Sequence, residues 1–362
     1  MSKAPWRGRR VLLTGHTGFK GSWLALWLTR LGADVVGLSL PADEVSLFRQ
    51  AAIDELVTHR EGDIRDLGAV EAAMAAARPD VVFHLAAQPL VRLSYDCPIE
   101  TFATNVQGTV HVLDACRRMP TVKAIVCITS DKCYENREWV WPYRETDPFG
   151  GHDPYSASKG AAEVVISAYR RSYFNTEDGP KLASVRAGNV IGGGDWATDR
   201  LIPDIIRAVI AGEPPLIRSP DSIRPWQHVL EALGGYLMIA EHLLERHDWA
   251  AEGWNFGPAE GDARPVSWIA DYLTHAWGRA GWINQASDRA QTHEANVLKL
   301  DCAKARSQLG WRPILSLETA LDRVVDWHRH VDGGGDARTI TLSQLDDYSA
   351  RRGAMLASKE IA

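Results

Sequence analysis

Residues 11–23, Val-Leu-Leu-Thr-Gly-His-Thr-Gly-Phe-Lys-Gly-Ser-Trp, decide the fold. A short apolar run, Val11-Leu12-Leu13, meets Gly15-x-x-Gly18-x-x-Gly21, and a helix-length stretch from Ser22 to Leu31 follows. Glycine lets the backbone turn tightly and approach a pyrophosphate, whose charge is stabilised by the N–H groups at a helix start. Three glycines alone would serve equally well as a tight packing turn. A strand before them and a helix after them point to a dinucleotide cradle.

The pattern continues outward. Val35-Val36-Gly37-Leu38, Val81 to Leu85 and Ala124 to Ile128 are short apolar runs, as expected of strands buried on both faces of a parallel sheet. Helix-length segments separate them at Asp66–Ala77 and Thr101–Arg118, and another follows Pro154 before the strand Leu182–Val185. Such alternation predicts an α/β protein with a doubly wound parallel sheet and right-handed crossovers. After Gly188 the alternation loosens. Helices are predicted at Leu201–Ala211, Val229–His247, Val266–Trp277 and Leu317–Val331, giving a smaller, mostly helical second region. Gly333-Gly334-Gly335 predicts a loose link to a polar tail.

Composition narrows the class of partner. With 362 residues, 45% hydrophobic and 24% charged, the chain has a globular balance and the length for one large or two modest domains. A net charge of −6 gives no global attraction to nucleic acid or to an anionic membrane. The first residues lack a signal-peptide pattern, and no apolar run approaches the roughly 18 to 20 residues that span a bilayer. A cytoplasmic protein is expected. The five cysteines include no Cys-x-x-Cys pair, and His16, His84 and His152 show no metal-ligand spacing, so no metal is expected. Fourteen tryptophans exceed the nine tyrosines and seven phenylalanines. Trp23, Trp27 and Trp327 fall on predicted helices and read as packing, whereas Trp139, Trp141, Trp196 and Trp226 fall in loops and are candidates for stacking a sugar or base.

Chemistry enters with Tyr155-Ser156-Ala157-Ser158-Lys159. Pro154 suits a helix start, and positions i and i+4 share a face, so phenol and ammonium can point into one site. A neighbouring positive charge favours the phenolate, and bringing a tyrosine from about 10 to neutrality requires about 4 kcal/mol of differential interaction. Upstream, the fifth strand ends in Thr129-Ser130-Asp131-Lys132, where a doubly wound sheet places its ligand crevice. Ser130 could hydrogen-bond the substrate hydroxyl that Tyr155 deprotonates.

Taken together, these residues resemble the extended short-chain dehydrogenase/reductases of the NAD-dependent epimerase/dehydratase family, and within it the CDP-glucose 4,6-dehydratases of bacterial deoxysugar and O-antigen synthesis. The resemblance rests on Thr14 to Trp23, His84 to Arg92, Thr129 to Tyr134 and Tyr155 to Lys159, and continues through Arg186 to Trp196, Arg224 to Val229 and Leu309-Gly310-Trp311. It implies an NAD-binding Rossmann domain over residues 1–188, a mainly substrate-binding region over 189–335 and a C-terminal tail over 336–362. It also implies a homodimer or homotetramer. The implied activity is that of a lyase acting by internal redox, with oxidation at C4, loss of water across C5 and C6 and return of the hydride to C6. Tyr155 takes the C4 hydroxyl proton, Asp131 matches the acid at the C6 oxygen, and Lys132 stands where related dTDP-glucose dehydratases carry a glutamate base. Lys132 can act as a base only when neutral, and the lesser alternative is that it pairs with Asp131, which would oppose the protonation an acid needs.

The same resemblance implies a cofactor site made by Gly15, Thr17, Gly18, Phe19, Lys20, Gly21, Leu85, Ala86 and Ala87 together with Tyr155 and Lys159. Ser39 replaces the acidic residue expected to hold the ribose hydroxyls, so NAD and NADP both stay open from the residues alone. Asp63-Ile64 is a candidate for the adenine edge, although Asp63 also reads as a helix cap. For the substrate, Arg224 matches a phosphate-binding arginine, Asn189 and Asn255 match pocket positions, and Gln88 and Asn105 could reach the sugar. A nucleotide-sugar 4-epimerase shares the cradle, the serine and the Tyr-x-x-x-Lys but needs neither an acid at C6 nor a base at C5. A non-catalytic NAD-binding regulatory protein is disfavoured by the intact Ser130, Tyr155 and Lys159.

Overall fold

A computed structural model describes residues 4–279, 281–285 and 298–360. Six strands follow one another through the first half: β1 (Arg10–Thr14), β2 (Asp34–Ser39), β3 (Thr58–Glu61), β4 (Val81–His84), β5 (Ala124–Ile128) and β6 (Lys181–Ala187). Beyond them lie β7 (Asn189–Ile191), β8 (Leu216–Ile217), β9 (Ile223–His228), β10 (Gly253–Phe256), β11 (Ala263–Pro265) and β12 (Ile283–Asn284). The central sheet is parallel in the order β10-β6-β5-β4-β1-β2-β3. After β1 the chain moves outward to β2 and β3, then returns to β4 on β1's other side. That reversal opens a crevice at the carboxyl ends of β1 and β4.

Both faces of the sheet are apolar because successive side chains point opposite ways. Leu12, Val36, Val82, Ile125 and Leu182 pack on one side with Val70, Val112 and Ile166, which come from helices Leu67–Ala77, Gly108–Arg118 and Pro154–Ser172. Val11, Leu13, Val35, Phe83, Val126 and Val185 pack on the other with helices Phe19–Leu31 and Val229–Leu244. The segment predicted as one helix over Thr101–Arg118 is a helix from Pro98 with a π-helical stretch at Ala103–Gln107, which turns Asn105 inward.

The second half is mostly helical as expected, and it also holds two small sheets, one of β7, β9 and β11 and one of β8 and β12. Two other expectations need correcting. The division at residue 188 is not a clean cut, because β10 completes the central sheet beside β6 and helix Val229–Leu244 covers its face. Nor do residues after 336 form a loose tail. Ala337–Glu360 is a helix that packs back through Leu345 and Tyr348. Trp327 donates to Thr341 at 2.8 Å, and Tyr348 donates to the Glu231 carboxylate at 2.9 Å. The three glycines make a tight turn, Gly334 taking a φ of 85°, that folds this helix back on Leu317–Asp332. A polar sequence with buried residues on one stripe is a covering helix, and its partner surface is supplied by tertiary contacts.

Candidate active site

The cleft at the sheet's carboxyl edge has a volume of about 910 Å³ and is lined by residues of both regions. Next to its lining residues Phe19 and Lys20 lies the glycine turn. Gly15 has a φ of 77°, and a Cβ there would lie 2.7 Å from the Ala86 backbone nitrogen, while a Cβ on Gly21 would lie 2.0 Å from the Gly15 carbonyl oxygen. The turn therefore packs against the β4 loop with no room for side chains. Gly18 caps the helix Phe19–Leu31 without any side-chain hydrogen bond, so backbone donors of its first turn face the crevice. A cradle a Cβ would fill, together with uncapped N–H groups, fits a dinucleotide pyrophosphate. Phe19, Lys20, Leu85 and Ala87 line the same cleft.

At the ribose end, Ser39 closes β2 as predicted, but its hydroxyl is 2.6 Å from that of Thr17, which also donates to the Leu40 carbonyl at 3.1 Å. Asp63 is already engaged. Arg65 donates to it from its backbone nitrogen at 2.8 Å and from its guanidinium, and that pairing holds the carboxyl below its ordinary value. Ile64 turns inward against Gly108 and presents its carbonyl to His111.

The chemical residues converge on the opposite wall. Ser130 lies two residues past the end of β5 and caps the short helical turn Asp131–Cys133, accepting from the Lys132 backbone nitrogen at 3.2 Å. Its hydroxyl donates to Asp131 at 2.9 Å. Asp153 caps the next helix by accepting from Ser156 at 2.8 Å, with Pro154 at its first turn, and this orients Tyr155 and Lys159 into the cleft. The Lys159 ammonium lies 5.9 Å from the centre of the Tyr155 ring. Burial raises the phenol to about 12, the Ser130 hydrogen bond pulls it down, and Asp131 pushes it up. Burial, then the neighbouring Lys20, lowers the Lys159 ammonium to about 8. Lys20 itself is brought down to about 8, chiefly by desolvation and then by Arg200. These effects together leave the phenol above its ordinary value.

Asp131 and Lys132 both line the cleft, and the aspartate takes its hydrogen bond from Ser130 rather than from the lysine ammonium. Burial raises the Asp131 carboxyl above its usual range despite the opposing effects of Lys132, Ser130 and Arg224. The direction of that shift favours the protonated form.

Behind these residues lies an ion pair absent from the sequence reading. Arg186, on β6, donates to both oxygens of Glu163 at 2.8 Å, and both side chains are buried. Thr129 donates to the same carboxylate at 2.5 Å and Ser184 at 2.8 Å. Burial opposes ionisation of Glu163, but Arg186 and these donors prevail and hold it below its ordinary value. Glu163 lies one helical turn beyond Lys159, a position the i, i+4 spacing marks only once the helix is known to face β6.

Of the predicted substrate residues, the cleft gathers Asn189 and Arg224 and omits three. Gln88 donates to the Leu90 carbonyl at 3.1 Å and to Thr101 at 2.9 Å. Asn105 accepts from the Gln88 backbone at 2.8 Å and donates to Ser158 at 2.8 Å. Both brace the β4 loop. Asn255 is fully buried, accepts from the Tyr134 hydroxyl at 2.8 Å and donates to the Tyr143 carbonyl at 2.9 Å. It joins β10 to the Tyr134–Tyr143 cluster and does not reach the cleft. Among the four loop tryptophans, Trp226 lines the cleft, Trp139 stacks on Tyr143, Trp196 donates to Gln50 and packs on Trp327, and Trp141 is exposed on the surface. Trp23, Trp27 and Trp327 are buried packing residues.

Missed by the sequence reading was a cationic rim made of Arg92, Arg200 and Arg218, which lines the cleft together with Arg224. Arg200 pairs with Asp195 at 3.1 Å, and Arg92 and Arg218 both pair with Asp199, at 3.4 and 3.3 Å. These carboxylates hold the guanidinium forks in place. Arginines spread over residues 92–224 carry no common spacing, so only folding reveals the cluster.

Comparison with known proteins agrees with this geometry. The family model of the NAD dependent epimerase/dehydratase family matches residues 11–250. The chain is 53% identical over 349 residues to a CDP-glucose 4,6-dehydratase of Salmonella typhimurium, covering 95% of this chain and 97% of that one. It is 29% identical to a dTDP-glucose 4,6-dehydratase of Streptomyces antibioticus, covering 88% and 92%. Among solved structures, a dTDP-glucose 4,6-dehydratase from Streptomyces venezuelae with NAD bound superposes with a TM-score of 0.76 at 23% identity, covering 91% and 99%, and so shares the fold. The glycine turn at the β1–β4 switch, the Ser130/Tyr155/Lys159 wall and a match that spans the sheet lead to one assignment: the chain belongs to the NAD dependent epimerase/dehydratase family.

Proposed function

We propose that the chain is a lyase that converts CDP-glucose to CDP-4-dehydro-6-deoxyglucose and water. The observation that carries this reading is 53% identity, along nearly the whole chain, to a CDP-glucose 4,6-dehydratase. Asp131 and Lys132, side by side in the cleft beside Ser130, support it, since a 4-epimerase needs neither. Gly15, Gly18 and Gly21 would hold NAD, which would supply a reversible hydride acceptor for the sugar and a positive charge that favours the Tyr155 phenolate.

Ser130 hydrogen-bonds the C4 hydroxyl and Tyr155 removes its proton. Lys159 stands beside the phenol and stabilises the charge it acquires. The ketone formed at C4 acidifies the C5 proton, which Lys132 takes, while Asp131 delivers a proton to the C6 oxygen so that it leaves as water. The C5 proton is replaced as the C6 carbon is reduced, and the sugar has lost one water in all. Acid and base each contribute about 10² to 10⁴ in rate. Arg92, Arg200, Arg218 and Arg224 meet the diphosphate, for which fork geometry suits guanidinium. Among the described residues no helix is long and apolar enough to cross a membrane, and a cytoplasmic homodimer or homotetramer fits a biosynthetic enzyme of this kind.

The test is incubation of the purified chain with CDP-glucose, UDP-glucose and dTDP-glucose, reading the alkali-induced absorbance of a 4-keto-6-deoxy sugar. Product from CDP-glucose is expected. Its absence, with and without added NAD, overturns the assignment. In Lys132→Ala, C4 oxidation should persist while dehydration fails, and unchanged dehydration refutes the role of Lys132 as base.

A further inference from the structure

Among the described residues, one group of metal-ligating side chains lies away from the cleft, at the far end of helix Val229–Leu244. The helix spans 16 residues and thus about 24 Å, and it begins next to the cleft residue Trp226. Its final turn ends in an unusual way. Arg246 donates to the Leu243 carbonyl at 3.0 Å and His247 to the His242 carbonyl at 3.0 Å, a Schellman closure whose left-handed position is normally a glycine. Here Arg246 takes a φ of 63° with a full side chain, a conformation that side chains other than glycine rarely adopt. The closure brings His247 back beside His242.

The resulting distances are specific. The two Nδ1 atoms are 3.1 Å apart, and Glu245 Oε2 is 3.6 Å from each of them. A point equidistant from three atoms so placed lies about 2.0 Å from all of them, which is the bond length that zinc makes to imidazole nitrogen and carboxylate oxygen. Solvent can supply the fourth position. Trp249 walls the group, its ring 4.8 Å from that of His242 and stacked at 5.8 Å on that of His247. The nearby charges are drawn aside. Asp248 pairs with Lys181 at 2.7 Å, and the Arg246 guanidinium donates to the carbonyls of Glu177 and Gly179.

We propose that His242, Glu245 and His247 form a site for a divalent transition-metal ion of the zinc class, separate from the catalytic cleft. Two imidazoles and one carboxylate select borderline cations over magnesium or calcium, which prefer all-oxygen shells. Sequence spacing did not flag it because the three ligands straddle a helix end, where the i, i+5 pairing exists only through the left-handed turn.

The experiment uses the full-length chain with Zn²⁺ in competition with a chromophoric chelator, and with Co²⁺ read by its visible spectrum. One ion per chain is expected, with binding weakened at least about tenfold in His242→Ala and in His247→Ala and more modestly in Glu245→Gln. Turnover of the nucleotide sugar and the urea midpoint should be unchanged in Glu245→Gln, which separates loss of the ligand from loss of the fold. Zn²⁺ uptake that is equal in the wild type and the His242→Ala/His247→Ala double variant, or no uptake at all, overturns the proposal.

Discussion

Glu163→Gln removes the charge of one partner in the buried pair behind the Ser130/Tyr155/Lys159 wall while keeping its shape. Arg186 then remains buried at 3% exposure with no countercharge, although the amide oxygen can still accept one of its two 2.8 Å hydrogen bonds. Breaking such a pair by neutralising one member costs about 3 to 5 kcal/mol, a large part of a net stability of about 5 to 15 kcal/mol. With a urea slope near about 3 kcal/mol per molar, the midpoint should fall by about 1 to 2 M. The assay is urea unfolding at pH 7 followed by tryptophan fluorescence. The pH dependence has a definite sign. Because the Glu163 carboxyl is held below its unfolded value, its contribution is complete above the unfolded pKa of about 4.3 and is lost as the pH falls through the folded value. The wild type should therefore approach the variant in stability as the pH is lowered below 4.3. Adding Arg186→Met to Glu163→Gln should restore part of the loss, since no buried cation is then left unpaired. A midpoint within about 0.2 M of wild type for Glu163→Gln, or a double variant weaker than either single one, refutes the reasoning.

Tyr155→Phe should lower kcat by about 10² to 10⁴ with KM little changed, as checked by steady-state assay on CDP-glucose, because it removes the proton acceptor and leaves the diphosphate contacts intact. Gly21→Ala should abolish NAD binding in a fluorescence titration, since its Cβ would sit 2.0 Å from the Gly15 carbonyl and neither backbone can yield. Arg200→Ala and Arg218→Ala should each raise KM for the nucleotide sugar by about 10- to 100-fold, the range for one lost charge-assisted contact, with a smaller effect at high salt in the wild type's favour. An unchanged KM in both would remove them from the diphosphate site.

Local rules reached the glycine cradle and the Tyr155/Lys159 pair because each is a contiguous motif whose geometry is set by a strand end or by helical spacing. The same is true of Ser130 and Asp131, placed by the end of β5. What reading residue by residue did not reach is what an amide or carboxylate faces within the fold. Gln88, Asn105 and Asn255 have the chemistry to hold a sugar, yet each is consumed by backbone partners or hydroxyls within the fold. Asp63 likewise answers to Arg65, two residues on. A polar side chain satisfies its hydrogen bonds with the nearest group available, and nearness is a property of packing.

The chain's own order of residues determined the parallel sheet, the crevice at its switch point and the candidate proton-handling groups beside it, since apolar runs, glycines and i, i+4 spacing act over a few residues. Tertiary structure alone decided the rest. It returned β10 and the helix Ala337–Glu360 to the first region, buried Asp131 enough to raise its carboxyl, set Glu163 on Arg186 and gathered Arg92, Arg200 and Arg218 into one rim. Desolvation and charge pairing depend on what surrounds a group in space, and groups distant in sequence are the ones that supply it.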